Sequence, residues 1–339
     1  MRWSSRRWTY PLTATRLGRS DKPILVGPWR GEVGFEVLYW IPFLHALRRR
    51  YGIDPERIIP ITRGGMGELY QTPAYLELFA MRSPADLRVE NRLQHKRTGM
   101  LKQMERSAWD QQVIRDAAET LKLSRYHVLD PAWMYHRLSP FWEGQRGLEW
   151  FRHQVDYTPL PAMPFDGPTR AIGSWKVSTL PEKFICVKFY ARATFPANPL
   201  TATIARETIK QISASVPVIL LNPNLFMDDH MDFTLKESMP NVHTLSDLVT
   251  LTPENHLAVQ AQILSRSMGF VGTYGGVAQM ALRLGKPSLS LYTEWGGTMW
   301  AHKHLSEVLG NAMGVPFQVH KVGDVPLMQS VLPKFILQA

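Results

Sequence analysis

A chain of 339 residues with 45% hydrophobic and 20% charged residues has the composition of a folded globular protein and room for two domains. No apolar run reaches the roughly 18–20 residues that a spanning helix needs, and no apolar core follows the N-terminal arginines as a secretory leader would require. The net charge of +10 is concentrated early: ten Lys/Arg and only three carboxylates fall within the first fifty residues.

The segment "MRWSSRRWTYPLTATRLGRS" mixes arginines with Trp3, Trp8 and Tyr10. Residues 1–22 read as a basic arm, either a poorly ordered solvated tail or, through residues 1–20, a peripheral contact with an anionic membrane or an acidic partner. No zinc-finger spacing, RNA-binding signature or basic stripe beyond residue 50 supports nucleic acid as a partner.

From Pro23 strand and helix signals alternate. "ILV" (24–26) is a short buried strand, followed by the loop "GPWRGEVG" and an apolar helix from Phe35 to Tyr51. "RIIPIT" (57–62) is a second strand, trailed by Gly64, Gly65 and Gly67; "DLRVE" (86–90) is a candidate third. Residues 99–121 have the composition of one long helix, and "YHVLD" (126–130) is strand-like up to Pro131. Five prolines between Tyr157 and Lys183 mark an interdomain linker, placed at 156–182.

The alternation then restarts. Strands are expected at 183–190, 216–222, 241–245, 269–273 and 287–293, with helices at 200–214, 254–267 and 276–285. Short apolar strands with helical crossovers predict parallel sheets covered on both faces. The expected fold is α/β: two Rossmann-like domains, 23–155 and 183–339, facing across a cleft. Cys186, alone in the apolar run "FICV", excludes an intrachain disulfide and a thiolate zinc cluster, favours a reducing compartment, and reads as a buried small hydrophobe.

In such sheets ligands bind beyond the carboxyl ends of the strands, so the loops there carry the candidate chemistry. In the first, Glu32 projects from a glycine loop and is a candidate general base; Glu36, one turn into the helix, serves either as a dipole-favoured carboxylate or as that base. Trp29, Arg30 and Gly31 beside them are acceptor-side candidates, Trp29 with a competing core role. After 183–190, Lys188 and Arg192 place two cations near a ligand anion or in ordinary ion pairs. Asn222 and Asn224 suit hydrogen bonding at a strand end, while Asp228-Asp229-His230 is a weak metal candidate, three consecutive residues rarely converging on one ion. His256 reads as a packed histidine. Thr273, Tyr274, Gly275 and Gly276 join a strand to a helix whose N-terminal amides suit a phosphate, Thr273 adding a hydroxyl.

"GPWRGEVGFEVLYWIPFLHAL" (27–47) and "FVGTYGGVAQMALRLGKPSLSLY" (270–292) resemble segments of glycosyltransferases of the GT-B superfamily, especially bacterial enzymes of surface-polysaccharide synthesis. The resemblance implies two Rossmann-like domains, with a nucleotide-sugar donor held by the second and a glycan or lipid-linked acceptor held by the first. It implies a donor diphosphate on 273–276 with Lys188 and Arg192, and a donor nucleoside or sugar near Asn222, Asn224, Leu245 and Glu294. It further implies a carboxylate base at Glu32 or Glu36, no cofactor, no metal, and a cytoplasmic location, peripheral to the membrane if the arm docks. Two alternatives stay open: a nucleotide-sugar 2-epimerase on the same fold, and a non-catalytic protein that docks on an acidic membrane or partner.

Overall fold

The computed structural model describes residues 10–99, 103–161, 180–223, 225, 227, 231–233, 239–294, 299–323 and 331–336. The chain divides into two compact units, Met1–Pro161 and Ala162–Ala339. The segment expected as a linker lies mostly outside the described residues, as do residues 1–9 of the expected arm.

In the first unit β1 (Ile24–Val26), β2 (Ile58–Thr62), β3 (Leu76–Glu77) and β4 (His127–Leu129) form an all-parallel sheet in the order β3-β2-β1-β4. β1 is buried along its length, as a central parallel strand must be. The helix after it runs through Val33–Phe35, a π turn at Glu36–Trp40 and Ile41–Tyr51. Its core face is aromatic: Trp29 stacks between Trp40 and Tyr135 at centroid distances of 6.0 and 6.1 Å.

The basic segment departs from expectation within its described part. Tyr10–Gly18 is helical, Ala14 and Leu17 are buried, and Arg57 Nη2 donates to the Leu17 carbonyl at 2.9 Å. "DLRVE" is not a strand. Ser83 and Asp86 form a reciprocal capping box with Pro84 in the first turn, and these local signals outweigh the alternating apolar residues, giving the helix Pro84–Thr98. Gly99, with φ at +69°, ends that helix. A second capping box, Ser107 with Asp110, starts the helix Ala108–Thr120, so the helix expected over 99–121 begins only at residue 108.

In the second unit β5 (Ile185–Lys188), β7 (Val218–Leu220), β9 (Val242–Thr244), β10 (Gly269–Thr273), β11 (Ser288–Tyr292) and β12 (Phe317–Lys321) form one parallel sheet. A small antiparallel pair, β6 (Tyr190–Ala191) with β8 (Met231–Asp232), stands apart from it. The large sheet runs β9-β7-β5-β10-β11-β12, which in its own strands is the doubly wound order 3-2-1-4-5-6. The first unit follows the same scheme through its fourth strand. Helices Pro199–Ser213, His256–Arg266, Gly276–Arg283 and Met299–Met313 alternate with the strands, and Ile185, Val187, Ile204, Ile212, Val271 and Leu289 share one core.

Gly272 allows the two central strands to meet: a Cβ there would lie 2.0 Å from the Lys188 carbonyl oxygen. Cys186 is fully buried, and burial pushes its thiol well above the usual range. No helix among the described residues is long and apolar enough to cross a membrane.

Candidate functional site

In a 3-2-1-4-5-6 sheet the chain winds away in opposite directions from strands 1 and 4, leaving a crevice at their carboxyl ends. Here those strands are β5 and β10. β5 ends at Lys188 and is followed by Tyr190 and Arg192; β10 ends at Thr273, the first residue of the turn Thr273–Gly276. The topology therefore brings both cations and the glycine turn to one switch point of the second unit.

Their contacts sort the candidates. Lys188, mostly buried, donates from Nζ to Gln260 Oε1 at 3.1 Å and lies 3.8 Å from Asp232 Oδ1. A Cβ on Gly275 would lie 1.9 Å from the Tyr190 hydroxyl and 2.9 Å from Arg192 Nη1, so the bare glycine lets both side chains approach the turn. Gly276 opens an eight-residue helix whose N-cap, Gly275, supplies no side-chain hydrogen bond to the first amides. The Thr273 hydroxyl, by contrast, is committed to the fold. It accepts from the Tyr190 amide at 3.2 Å and reaches the Tyr190 carbonyl at 3.3 Å, fully buried, so the expected hydroxyl contact with an anion is corrected to a bridge between two strand ends. Tyr274 is also buried, edge-on to Phe317, and belongs to the core rather than to an open site.

The remaining donor candidates are scattered in role. Asn222 Nδ2 donates to the Phe233 carbonyl at 2.7 Å, Leu245 is fully buried at the start of a four-residue helix, and Glu294 is exposed with its amide on the Thr194 carbonyl. Asn224 and residues 228–230 lie outside the described residues. Among the described residues no group of three His, Cys, Asp or Glu could hold a metal ion. His256 is buried, with Nδ1 2.9 Å from the Pro253 carbonyl.

The first unit gathers carboxyls at the ends of β1, β2 and β3. Glu36 sits in the π turn, fully buried, and its Oε1 accepts from Thr62 Oγ1 at 2.5 Å and Tyr70 Oη at 2.7 Å. Oε2 is buried with no hydrogen-bond partner. Burial pushes this carboxyl up to about 7, against the lowering pull of those two hydroxyls and of Arg63. Glu77, at the end of β3, accepts from the amides of Gly64 and Gly65 at 2.9 and 2.8 Å, both glycines having positive φ, and from Phe79 at 3.1 Å. Burial outweighs these three donors and raises it to about 7 as well.

Glu32 occupies a different setting. It is half-buried, at the N-cap with extended backbone, and its carboxylate makes no capping bond to the helix. Glu36 is fully buried, whereas Glu32 lies half-buried on the loop before the helix.

Arg30 and Trp29 are corrected from acceptor contacts to structural groups. The Arg30 guanidinium binds Asp110 Oδ1 through Nε at 2.7 Å, Gln94 at 2.6 Å and Asn91 at 2.9 Å, and Gln103 accepts from its amide. Trp29 lies wholly in the aromatic stack. Gly31 presents its carbonyl to Arg63 Nη2 at 2.7 Å, and a Cβ there would lie 2.7 Å from the Trp29 ring. Sequence reasoning missed Thr62, Arg63, Tyr70 and Glu77; the signal that pointed toward them was the Gly64-Gly65 pair directly after a strand.

No protein-family model and no curated protein matches the chain. Among solved structures it is similar to a glycosyl transferase of family 9 from Veillonella parvula, at 11% identity and a TM-score of 0.42, over 94% of this chain and 98% of that one. It is similar also to the heptosyltransferase WaaC of E. coli with ADP, at 13% identity and a TM-score of 0.41 over 93% and 97%. The glycosyltransferase SnogD of Streptomyces nogalater gives 15% and 0.38 over 94% and 92%. At such scores the likeness carries no inference, and the fold assignment rests on the strand order itself.

Proposed function

We propose that the chain transfers a sugar from a nucleotide-sugar to a hydroxyl acceptor, a glycan or a lipid-linked glycan. The observation that carries this reading is the switch point of the second unit, where Lys188 and Arg192 stand at the end of the first strand and the bare Gly275-Gly276 pair leads into a helix N-terminus without a side-chain cap. That combination suits a diphosphate: helix amides and dipole on one side, guanidinium and ammonium on the other. Lys188 would exchange Asp232 for phosphate oxygens as the donor binds.

In this reaction the acceptor oxygen forms a bond to the anomeric carbon while the bond from that carbon to the diphosphate oxygen breaks. The acceptor proton passes to Glu32, and the negative charge gathering on the leaving diphosphate is met by the preorganised cations and amides. Glu36 acts as a positioning residue below the loop, bonded to Thr62 and Tyr70. The role of Glu32 is that of an inverting base.

Thermal unfolding in the presence of nucleoside diphosphates and nucleotide-sugars tests the donor site, since a ligand of the native state raises the midpoint. One nucleotide class is expected to stabilise the chain and Arg192→Gln to abolish that shift. If no nucleoside diphosphate stabilises the wild type, the donor assignment is wrong. With a donor identified, Glu32→Gln is expected to keep donor binding and lose roughly 10²–10⁴-fold in turnover; turnover near wild type would remove Glu32 as the base.

A further inference from the structure

The helix Pro84–Thr98 buries Leu87 with the polar Glu90 and Gln94, and leaves two aliphatic side chains in solvent among its charges. Glu90 and Gln94 on its buried side, and Asn91 at the edge, meet the buried guanidinium of Arg30. Its outward face carries Val89 and Leu93, one turn apart, 50% and 51% exposed. Large exposed apolar side chains are uncommon among the described residues, and these two are the only ones that adjoin on one helix face. Around them stand Arg88, Arg92, His95 and Lys96, the last three exposed. The acids of the same helix are engaged elsewhere, Asp86 in the capping box and Glu90 beside Arg30.

We infer that this face docks on an anionic lipid surface. An aliphatic ridge rimmed by cations is the pattern of a helix that lies in the plane of a bilayer interface: the apolar pair enters the headgroup boundary and the cations meet lipid phosphates. A protein partner fits less well, because the core of a protein interface is depleted in lysine and usually anchored by aromatic residues. Half-exposed aliphatics cost little in water singly, yet two side by side within a positive rim give both the area and the sign that an acidic membrane selects. The inference does not depend on the proposed reaction. Its link to it is Arg30, which bonds the helix to the loop bearing Glu32, so a docked helix would carry the acceptor-side loop to the membrane surface.

The test is sedimentation of the full chain with vesicles of phosphatidylcholine alone and of equal parts phosphatidylcholine and phosphatidylglycerol. The wild type is expected to partition onto the anionic vesicles only. Each cation near such a surface contributes about a five-fold factor, so R92Q/K96Q should weaken partitioning roughly thirty-fold, while R92K/K96R keeps it. V89S/L93S should weaken it roughly ten-fold. All four side chains face solvent, so the unfolding midpoints are expected to stay at the wild-type value. A wild type that ignores anionic vesicles overturns the inference, and so does partitioning unchanged in either double variant, which would put contact elsewhere. Loss of a dimer in V89S/L93S without vesicles would also overturn it, by making a second copy the occupant.

Discussion

Replacing Glu36 by glutamine isolates the cost of burying that carboxyl. In the folded chain its pKa is raised from 4.5 to about 7 by desolvation, and the side chain is fully buried. A group whose folded pKa is raised stabilises the fold fully below its unfolded value of 4.5; that contribution is lost as pH climbs toward about 7 and stays lost above it. At 1.36 kcal/mol per unit the difference is about 3 kcal/mol. Glutamine keeps an Oε1 that can accept from Thr62 and Tyr70 and puts an amide donor where the protonated acid would carry its hydroxyl, but it does not titrate. The E36Q chain should therefore gain about 3 kcal/mol on the wild type between acid pH and pH above 7. Urea unfolding followed by tryptophan fluorescence at a series of pH values measures this. Glu77 titrates in the same region and is itself raised in part by the Glu36 charge, so the comparison is made in a Glu77→Gln background, where only Glu36 changes. A wild-type-minus-variant difference that is flat with pH would refute the buried-acid account of Glu36.

Three further outcomes follow from distances already given. Gly275→Ala should cost about 1–3 kcal/mol by forcing Tyr190 and Arg192 aside, and in a Tyr190→Phe background, which removes the hydroxyl 1.9 Å away, the same substitution should cost clearly less; a double-mutant cycle in chemical unfolding reads the relief. Gly272→Ala meets a backbone carbonyl at 2.0 Å instead of a movable side-chain end, so it should prevent the second unit from folding, seen as rapid proteolysis of residues beyond 180, and a stable variant would contradict the strand contact. Arg30→Met leaves Asp110 buried without its cation and should destabilise the chain by about 3–5 kcal/mol, with a loss under about 1 kcal/mol speaking against the buried ion pair.

The parallel strands were legible because central strands of doubly wound sheets are buried on both faces, so "ILV" and "ICV" stand out as uninterrupted apolar runs. β12 hid because "FQVHK" at the sheet edge is only partly buried, and β3 because two residues carry no period at all. "DLRVE" misled through its alternation, which the Ser83–Asp86 capping box overrode. At the switch point the two cations and the glycine turn were readable as loop chemistry after strands, but the reason for Gly275 was not: Tyr190 reaches it only through the folded sheet. Glu77 was illegible for the same cause, since its meaning depends on amides at Gly64 and Gly65, thirteen and twelve positions earlier. Arg30 shows the converse error. A charge in a glycine loop looks exposed until four residues from two distant helices close over it.

Pro42, inside the helix that carries Glu36, has no amide to offer the carbonyl one turn back at Leu38. The π turn ends just before it, with Ile41 bonding to the Glu36 carbonyl, and the Leu38 oxygen is taken by the hydroxyl of Tyr157 at 2.7 Å. The amide of Asp156 bonds in turn to the Pro42 carbonyl, and Gln71 reaches the Pro159 carbonyl. The proline that would ordinarily break a helix has become the eye of a buckle, and the last residues of the unit are its tongue. Anyone expressing the N-terminal half alone must carry the chain through Pro159; a cut at residue 155 would unfasten the helix on which Glu36 is mounted.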